Sequence, residues 1–367
     1  MSDPLEMIKK DVRTLHAYSL VAERARIKLN QNENPWDAPA EIKEETLKRL
    51  RERVWSRYPG LVTRDLNERL AKFSSWKPDG IIAGNGSNEL IQAVLMIAAG
   101  KGRRVLISEP TFTLYRQIST VLESDVVTVS LTPDLTYDAD ELLKAIKTTQ
   151  PSVTIICSPN NPTGCVMSQP DFSALLEASG GLVVVDEAYF EFSRQSAVPL
   201  LKRHSNLVVF RTFSKAMAMA ALRIGYLMAA PELVREISKA ILPYNLDIVS
   251  QTAAEVAMEM YEERLAPLVE LICHERERVY VALQHISGFD PLRSQANFLL
   301  VHTKLPVKHV FDELRRQDIL IRDVSSYPML QDYFRISIGT PEENDTLLEA
   351  LSKMSQGEMQ VRSVPTR

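Results

Sequence analysis

The chain reads LVVFRTFSK at positions 207–215 and AMAMAALRIGY at positions 216–226. The apolar run Leu207–Phe210 is typical of a buried strand, and the small residues Ala216–Ala221 predict one or two turns of helix. Lys215 would then follow the end of a strand, with hydroxyl side chains and Arg223 nearby. An amine beside groups that suit a phosphate can hold pyridoxal phosphate as an imine. A solvated surface lysine is the simpler alternative, and other segments of the chain separate the two.

Length and composition set the class of protein. The chain has 367 residues, 45% hydrophobic and 25% charged, which is ordinary for a globular protein of two domains. A net charge of -4 and a pI near 6.0 give no electrostatic case for a nucleic acid or a membrane surface. No apolar run approaches the roughly 20 residues that span a bilayer. Cys157, Cys165 and Cys273 form no disulfide pattern, so a cytoplasmic protein is expected. The histidines show no metal-binding spacing, and no metal is expected.

Short apolar segments alternate with helical stretches through the middle of the chain. They lack a clean alternation of polar and apolar residues, as expected for strands buried on both faces of a parallel sheet. Helices are predicted between them, for example over Asn88–Ala99 and Asp138–Lys147. The pattern predicts an α/β fold whose mostly parallel sheet is sandwiched by helices. The predicted strands are Arg104–Ser108, Val126–Val129, Val153–Cys157, Leu182–Val185 and Leu207–Phe210.

The character of the sequence changes after about Pro231. Two long amphipathic stretches, Pro231–Ile241 and Gln251–His285, predict helices. Short strands are predicted after them, at Phe298–Val301, Ile319–Ile321 and Phe334–Ile338. We therefore expect an N-terminal arm at 1–30, a large domain at 31–245 and a smaller α+β domain at 246–367.

Polar residues follow two of the predicted strands, and ligands of open α/β sheets bind at the carboxyl ends of strands. Asp186 follows Leu182–Val185, where a buried carboxylate needs a cation. It is either a helix N-cap or the partner of a protonated pyridine nitrogen, and Tyr189 is close enough in sequence to reach the phenolic oxygen of that ring. Asn161 lies in the loop SPNNPTG at 158–164, for which the prolines and glycine predict a rigid turn. Its amide is either an ordinary turn residue or held for a ligand.

The segment GNGSNE at 84–89 predicts an anion site. Gly86, Ser87 and Asn88 open a predicted helix, whose free amides and dipole favour a negative charge. A dinucleotide motif would need glycine where position 89 has glutamate. Arg335, in a predicted strand, is either a surface residue or a bidentate clamp for a carboxylate or phosphate. Arg322 ends the preceding predicted strand and adds a second charge.

Together these segments resemble the fold-type-I pyridoxal-phosphate aminotransferases, and within them the histidinol-phosphate aminotransferase family. The resemblance runs from about residue 28 to residue 340. Its cofactor motifs are specific to the superfamily, whereas Leu29–Pro35 and Arg335–Thr340 are typical of the family. The other similar segments are Arg57–Pro59, Gly84–Ile91, Pro110–Phe112, Ser158–Gly164, Val184–Tyr189, Arg211–Tyr226, Pro243–Asn245 and Gln295–Phe298.

The resemblance implies how a pyridoxal 5′-phosphate cofactor would be held. Lys215 would bind it as an imine, and Asp186 would pair with the pyridine nitrogen. Tyr189 and Asn161 would bond the ring's O3′, and Phe112 would stack on the ring. The phosphate would be held by Gly86, Ser87, Asn88, Thr212, Ser214 and Arg223.

The resemblance also implies partners and a substrate pocket. Tyr58 would reach the phosphate across a subunit interface, which implies a homodimer with shared active sites. Small-molecule substrates, an amino donor and a 2-oxo acid, would meet Arg335, Arg322, Asn32, Asn245 and Tyr18.

The implied reaction moves the amino group of L-histidinol phosphate to 2-oxoglutarate, in histidine biosynthesis. An aromatic amino-acid aminotransferase and a threonine-phosphate decarboxylase need nearly the same residues and stay open as alternatives. A regulator that binds the cofactor without turnover would carry a DNA-binding domain, and no basic helix pair is predicted for one.

Overall fold

The computed structural model describes residues 3–15, 25–60 and 63–362 of the chain. Within these ranges the strands form sheets of seven, four and two strands. The strands are β1 (Ile27–Lys28), β2 (Ile81–Asn85), β3 (Arg104–Glu109), β4 (Asp125–Ser130), β5 (Val153–Cys157), β6 (Leu182–Asp186), β7 (Leu207–Thr212), β8 (Ile224–Ala229), β9 (Phe289–Pro291), β10 (Phe298–Thr303), β11 (Ile319–Leu320), β12 (Arg322–Asp323) and β13 (Tyr333–Ser337).

Helices cover both faces of the seven-stranded sheet. Alternate residues of its strands enter two separate cores: Val183 and Val185 pack on one side and Val184 on the other. The helices are α1 (Lys10–Thr14), α2 (Ala40–Glu52), α3 (Arg64–Ser74), α4 (Gly86–Ala98), α5 (Leu114–Val121), α6 (Ala139–Thr149), α7 (Gln169–Ala178), α8 (Phe190–Ser193), α9 (Pro231–Ile237), α10 (Ile248–Glu259), α11 (Ala266–Gln284), α12 (Val307–Arg316) and α13 (Pro341–Arg362).

The large sheet has the strand order β2-β8-β7-β6-β5-β3-β4. All of its strands run in one direction except β8, which is antiparallel to both β2 and β7. The carboxyl ends of β5, β6 and β7 therefore share one edge with the beginning of β8. The predicted α/β fold with a mostly parallel sheet between helices is confirmed.

A second, antiparallel sheet, β12-β13-β10-β9, has a core of its own. Ile27 and Leu29, before and after Lys28, are buried in that same core, because β1 pairs in parallel with β11. The N-terminal part of the chain thus packs on the C-terminal sheet. The domain limits at residues 30 and 245 stay a prediction.

The structure corrects the helix predicted at Ala216–Ala221. Only the 3₁₀ turn Ala220–Leu222 forms there. The amide of Met219 donates to the carbonyl of Phe213 (3.2 Å), so the backbone curls back instead of winding forward. Because β8 begins at Ile224, too little chain is left for a helix and a return to the sheet.

Other predicted limits also shift. The helix predicted from Asn88 begins at Gly86. The long stretch Gln251–His285 is interrupted by a π turn at Tyr261–Leu265, since the proline at the start of α11 cannot continue an α-helical ladder. The strands β2 and β8 were not predicted, because glycine inside each lowers its strand character.

Candidate active site

A cavity of about 490 Å³ opens at the carboxyl ends of β5, β6 and β7. Side chains of β12 and β13 close its opposite wall, so both larger sheets contribute to it. The predicted site residues that line the cavity are Asn32, Ser87, Asn88, Phe112, Asn161, Asp186, Tyr189, Thr212, Ser214, Lys215, Arg223, Arg322 and Arg335.

Lys215 lies in this cavity with its amine held on one side. Its Nζ donates to the backbone carbonyl of Gln31 at 2.9 Å. Burial is the main cause that lowers the pKa of Lys215 to about 8, and the positive charge of Arg335 adds to it. An amine whose pKa is this near neutrality is unprotonated, and so able to act as a nucleophile or a base, in a larger fraction of molecules at neutral pH than an ordinary lysine.

Asp186 is the buried carboxylate of the cavity, at the end of β6. Its Oδ2 accepts a hydrogen bond from the Tyr115 hydroxyl (2.7 Å), and its Oδ1 accepts one from the Ala188 amide (3.1 Å). Burial raises the pKa of Asp186 to about 6, although the Tyr115 bond opposes the shift. A carboxylate in this position favours a cationic partner on the cavity side.

Hydrogen bonds join the two larger sheets across the cavity. Arg335 donates from Nη1 to Oδ1 of Asn161 (2.5 Å) and from Nη2 to the carbonyl of Asn30 (2.7 Å). Asn32 donates from Nδ2 to the hydroxyl oxygen of Tyr189 at 3.0 Å. The Ser337 hydroxyl donates to Oδ1 of Asn32 (3.1 Å). These bonds hold the amides and the guanidinium in place.

The N-terminus of α4 forms an anion cradle with the loop that precedes β8. Arg223 donates from Nη1 to the Ser214 hydroxyl (3.2 Å). Gly86 has a φ of 75°, and a Cβ there would lie 2.5 Å from Nη2 of Arg223. Glycine is also required at position 225, because a Cβ there would lie 2.4 Å from the backbone nitrogen of Ser87. Two glycines thus let a helix N-terminus, a guanidinium and hydroxyls converge, as anion binding requires.

A buried ion pair ties the ends of β6 and β7 together behind the cavity. Arg211 donates from Nε to Oε2 of Glu187 (2.9 Å) and from Nη2 to the Ser196 hydroxyl (2.9 Å). Both charged side chains are almost fully buried. Because Glu187 follows Asp186 and Arg211 precedes Thr212, the pair sets the spacing of the two strand ends that line the cavity.

The loop at 158–164 is held by a second buried network. Asn160 donates from Nδ2 to the carbonyl of Pro110 (3.0 Å) and to the Thr163 hydroxyl (2.9 Å). Its Oδ1 accepts from the Thr111 hydroxyl at 2.8 Å. The loop that carries Asn161 is therefore fixed to the segment that carries Phe112.

Several predicted residues do not line the cavity. Asn245 lies elsewhere: it donates to Oε2 of Glu89 (2.8 Å) and lines a separate pocket between α3 and α9. Tyr58 is 81% exposed and stacks on Tyr244, with 4.4 Å between ring centroids. Gly86 is not part of the cavity lining, and a Cβ added to it would meet Nη2 of Arg223. Tyr18 lies outside the described residues.

The cavity also contains residues that the sequence analysis did not single out. Tyr115, Gln31 and Asn30 contribute hydrogen bonds, and Tyr327 and Glu33 complete the wall. Tyr115 follows Phe112 by three residues, and its amide donates to the Phe112 carbonyl (3.3 Å) in the turn that leads into α5.

The charges in the cavity favour an anionic ligand. Lys215, Arg223, Arg322 and Arg335 line it, against the carboxylates of Asp186 and Glu33. Across the described part of the chain, no group of three histidine, cysteine, aspartate or glutamate side chains is arranged to hold a metal ion. No helix in that part is both long and apolar enough to cross a membrane.

Comparison with known proteins identifies the family. Residues 24–351 match the family model for aminotransferase class I and II. Histidinol-phosphate aminotransferase from Chlorobaculum tepidum is 38% identical over 333 residues, which are 90% of this chain and 95% of the relative. The enzyme of the same name from Chlorobium phaeobacteroides is 38% identical over 351 residues, 95% of this chain and 97% of the relative.

Solved structures share the fold. Histidinol-phosphate aminotransferase from Sinorhizobium meliloti, in complex with pyridoxal-5′-phosphate, has a TM-score of 0.86 at 23% identity and covers 96% of this chain and 98% of its own. L-threonine-O-3-phosphate decarboxylase from Porphyromonas gingivalis has a TM-score of 0.78 at 22% identity, with 90% and 99% covered. The chain belongs to the class I and II aminotransferases, and within them to the histidinol-phosphate aminotransferase family.

Proposed function

We propose that this protein transfers the amino group of L-histidinol phosphate to 2-oxoglutarate, in histidine biosynthesis, with pyridoxal 5′-phosphate as cofactor. The observation that carries the proposal is the pairing of Lys215, an amine with a pKa of about 8, with Asp186, a buried carboxylate on the same cavity. The names of the curated relatives supply the substrate.

The residues of the cavity fit this cofactor. The cradle of Ser87, Ser214 and Arg223 suits a phosphate, and Gly86 and Gly225 leave the space that a Cβ would fill. Asp186 accepts hydrogen bonds from a hydroxyl and from a backbone amide, one on each oxygen, and both oxygens keep a lone pair for a ring N–H on the cavity side. Such a set matches an aromatic ring that carries a phosphate at one end and a cationic nitrogen at the other.

We assign the holding residues accordingly. Lys215 would bind the aldehyde carbon, and Asp186 would hold a proton on the ring nitrogen. Tyr189 and Asn161 would bond the phenolic oxygen, and Phe112 would pack on the ring face. Gly86, Ser87, Asn88, Thr212, Ser214 and Arg223 would hold the phosphate.

When bound, the cofactor supplies a sink for the electron pair that is left when the donor's Cα loses its proton. Lys215, once the donor's amine has replaced it on the aldehyde carbon, would be the base that removes this proton, because its lowered pKa of about 8 leaves a larger fraction unprotonated at neutral pH than in an ordinary lysine. The same Nζ would then deliver the proton to the cofactor carbon bonded to the nitrogen being transferred. Asp186, as an anion, would keep the ring nitrogen protonated.

Arg335 and Arg322 are the proposed anchors for the acid groups of both substrates. They are register partners on β13 and β12, so their side chains start from adjacent backbone positions. A guanidinium donates two parallel hydrogen bonds to a phosphate or a carboxylate in the same bidentate geometry. This suits a site that must bind histidinol phosphate and 2-oxoglutarate in turn. Asn32 would contribute a polar contact beside them.

We also propose a homodimer that shares its active sites. Val54, Trp55, Tyr58, Leu242 and Tyr244 expose apolar or aromatic surface on one protomer. Exposed patches of this kind mark protein interfaces, and Tyr58 does not line the cavity of its own chain. The cysteines are free thiols, which suits the proposed cytoplasmic location.

A donor panel with 2-oxoglutarate tests the reaction. Histidinol phosphate should give glutamate at a higher kcat/KM than phenylalanine, and phosphothreonine should release no carbon dioxide. A preference for phenylalanine would indicate an aromatic aminotransferase, and carbon dioxide release a decarboxylase. Borohydride reduction with peptide mapping tests the amine: label at position 215 is expected, and label elsewhere would contradict the assignment.

A further inference from the structure

Tyr115 is a fully buried tyrosine in the wall of the cavity, beside the Asp186 carboxylate. The hydroxyl donates to Oδ2 of Asp186 at 2.7 Å. The Ala188 amide holds Oδ1 at 3.1 Å. Each carboxylate oxygen thus has its own donor, which fixes the plane of the group and leaves its remaining lone pairs for the cavity.

We infer that Tyr115 is a positioning residue for the pyridine end of the cofactor site, whose hydroxyl orients the Asp186 carboxylate and keeps it anionic. The inference rests on the proposed cofactor. It adds a role that neither the sequence motifs nor the family comparison assigns to this residue.

Without this donor the surroundings of Asp186 favour the neutral acid. Burial is the largest cause that raises its pKa, and Glu187 adds a like charge. The Cys157 thiol faces it from β5, where the two residues are register partners, and burial raises the thiol's pKa, so it stays neutral. Lys215 is the nearby cation, and its effect on Asp186 is smaller than that of the Tyr115 hydrogen bond.

The turn that leads into α5 links this donor to the stacking face. Phe112 and Tyr115 meet edge to face, with 5.5 Å between centroids and 85° between planes. The Tyr115 amide donates to the Phe112 carbonyl at 3.3 Å. A displacement of the ring that would pack on the cofactor therefore also displaces the hydroxyl that holds Asp186.

The test is Tyr115→Phe, which removes one oxygen atom and leaves the packing. Tyr137→Phe is the matched control, because the Tyr137 hydroxyl donates to the neutral carbonyl of Cys157 (2.5 Å). Asp186 is titrated in the protein without cofactor by carbon-13 NMR of labelled aspartate, with its signal assigned by its loss in Asp186→Asn. Loss of a hydrogen bond to a charged group should raise the Asp186 midpoint by about one to two pH units. The control should not move it.

Two further measurements complete the test. Replacement of all tyrosines by 3-fluorotyrosine, a stronger donor, should shift the midpoint downward without removing any contact. Affinity for pyridoxal 5′-phosphate is followed by absorbance as the pH is lowered. It should begin to fall at a higher pH in Tyr115→Phe than in the parent protein. An unchanged Asp186 midpoint, or a shifted midpoint with an unchanged pH dependence of affinity, would overturn the inference. A parent protein that binds no cofactor would instead refute the proposed function.

Discussion

Gly225→Ala tests whether backbone packing controls the anion cradle. The new Cβ would lie 2.4 Å from the Ser87 nitrogen and 2.7 Å from the Gly86 carbonyl carbon. Ordinary contact begins near 3.4 Å, so the first turn of α4 must move by about 1 Å. Overpacking of this kind costs about 1–3 kcal/mol of stability. A displacement of about 1 Å at a binding group weakens its function by up to roughly 100-fold.

Gly180→Ala is the matched control, since a Cβ there meets nothing within 4 Å. The assay is an absorbance titration of the cofactor-free protein with pyridoxal 5′-phosphate, beside a thermal melt. Gly225→Ala should raise the Kd by one to two orders of magnitude, and Gly180→Ala should leave it unchanged. A Kd for Gly225→Ala within about twofold of the parent value would refute the reasoning.

Three other predictions follow from contacts and charges described above. Arg211→Met should lower the free energy of unfolding by about 3 kcal/mol, because Glu187 is left as an unpaired buried charge. Urea unfolding should show that adding Glu187→Met recovers most of this loss. A double variant as unstable as Arg211→Met would contradict the unpaired charge as the cause. Because the pKa of Lys215 is lowered in the folded protein, the unfolded chain binds this proton more tightly. The free energy of unfolding of the cofactor-free protein should therefore rise between about pH 8 and 10.5, by at most about 3 kcal/mol relative to Lys215→Met. A flat or falling difference between the two proteins across that window would be inconsistent with a buried amine. Mixing Tyr58→Ala with Lys215→Ala protomers should restore up to about a quarter of the parent activity, because about half of the dimers contain one protomer of each kind and so regain one of their two sites. No recovery in dimers proven to be mixed would argue against shared sites.

The fold was largely predictable because strands buried on both faces of a parallel sheet have continuous apolar sequences. Val153–Cys157 has the predicted limits, and Leu182–Val185 is extended by one residue. Two of the failures have a common cause. At Ala216–Ala221 the small residues favoured a helix, but the return of the chain to the sheet overrides local preference. In β8, Gly225 weakens the strand signal for the sake of a close approach that only the tertiary structure reveals.

The candidate site was predictable where a residue follows a strand. Asp186 and Lys215 stand at the carboxyl ends of β6 and β7, and a parallel sheet brings such ends together without further information. Tyr115 was missed because its role depends on a contact with a residue far away in sequence. Asn245 was predicted in the substrate pocket, and in the structure its amide donates to Oε2 of Glu89 on α4.

The reversed direction of β8 limits how this protein can vary. The backbone leaves the sheet after Thr212 and re-enters it at Ile224 on the same rim, in the adjacent strand. The stretch between them is a strap fastened at both ends, and it carries the amine and the guanidinium at a set separation. An insertion in this strap would change the separation of the two charges, whereas an insertion in an outward-facing crossover would extend into solvent without moving either. Changes in length among related enzymes should therefore spare this strap and collect in the crossovers.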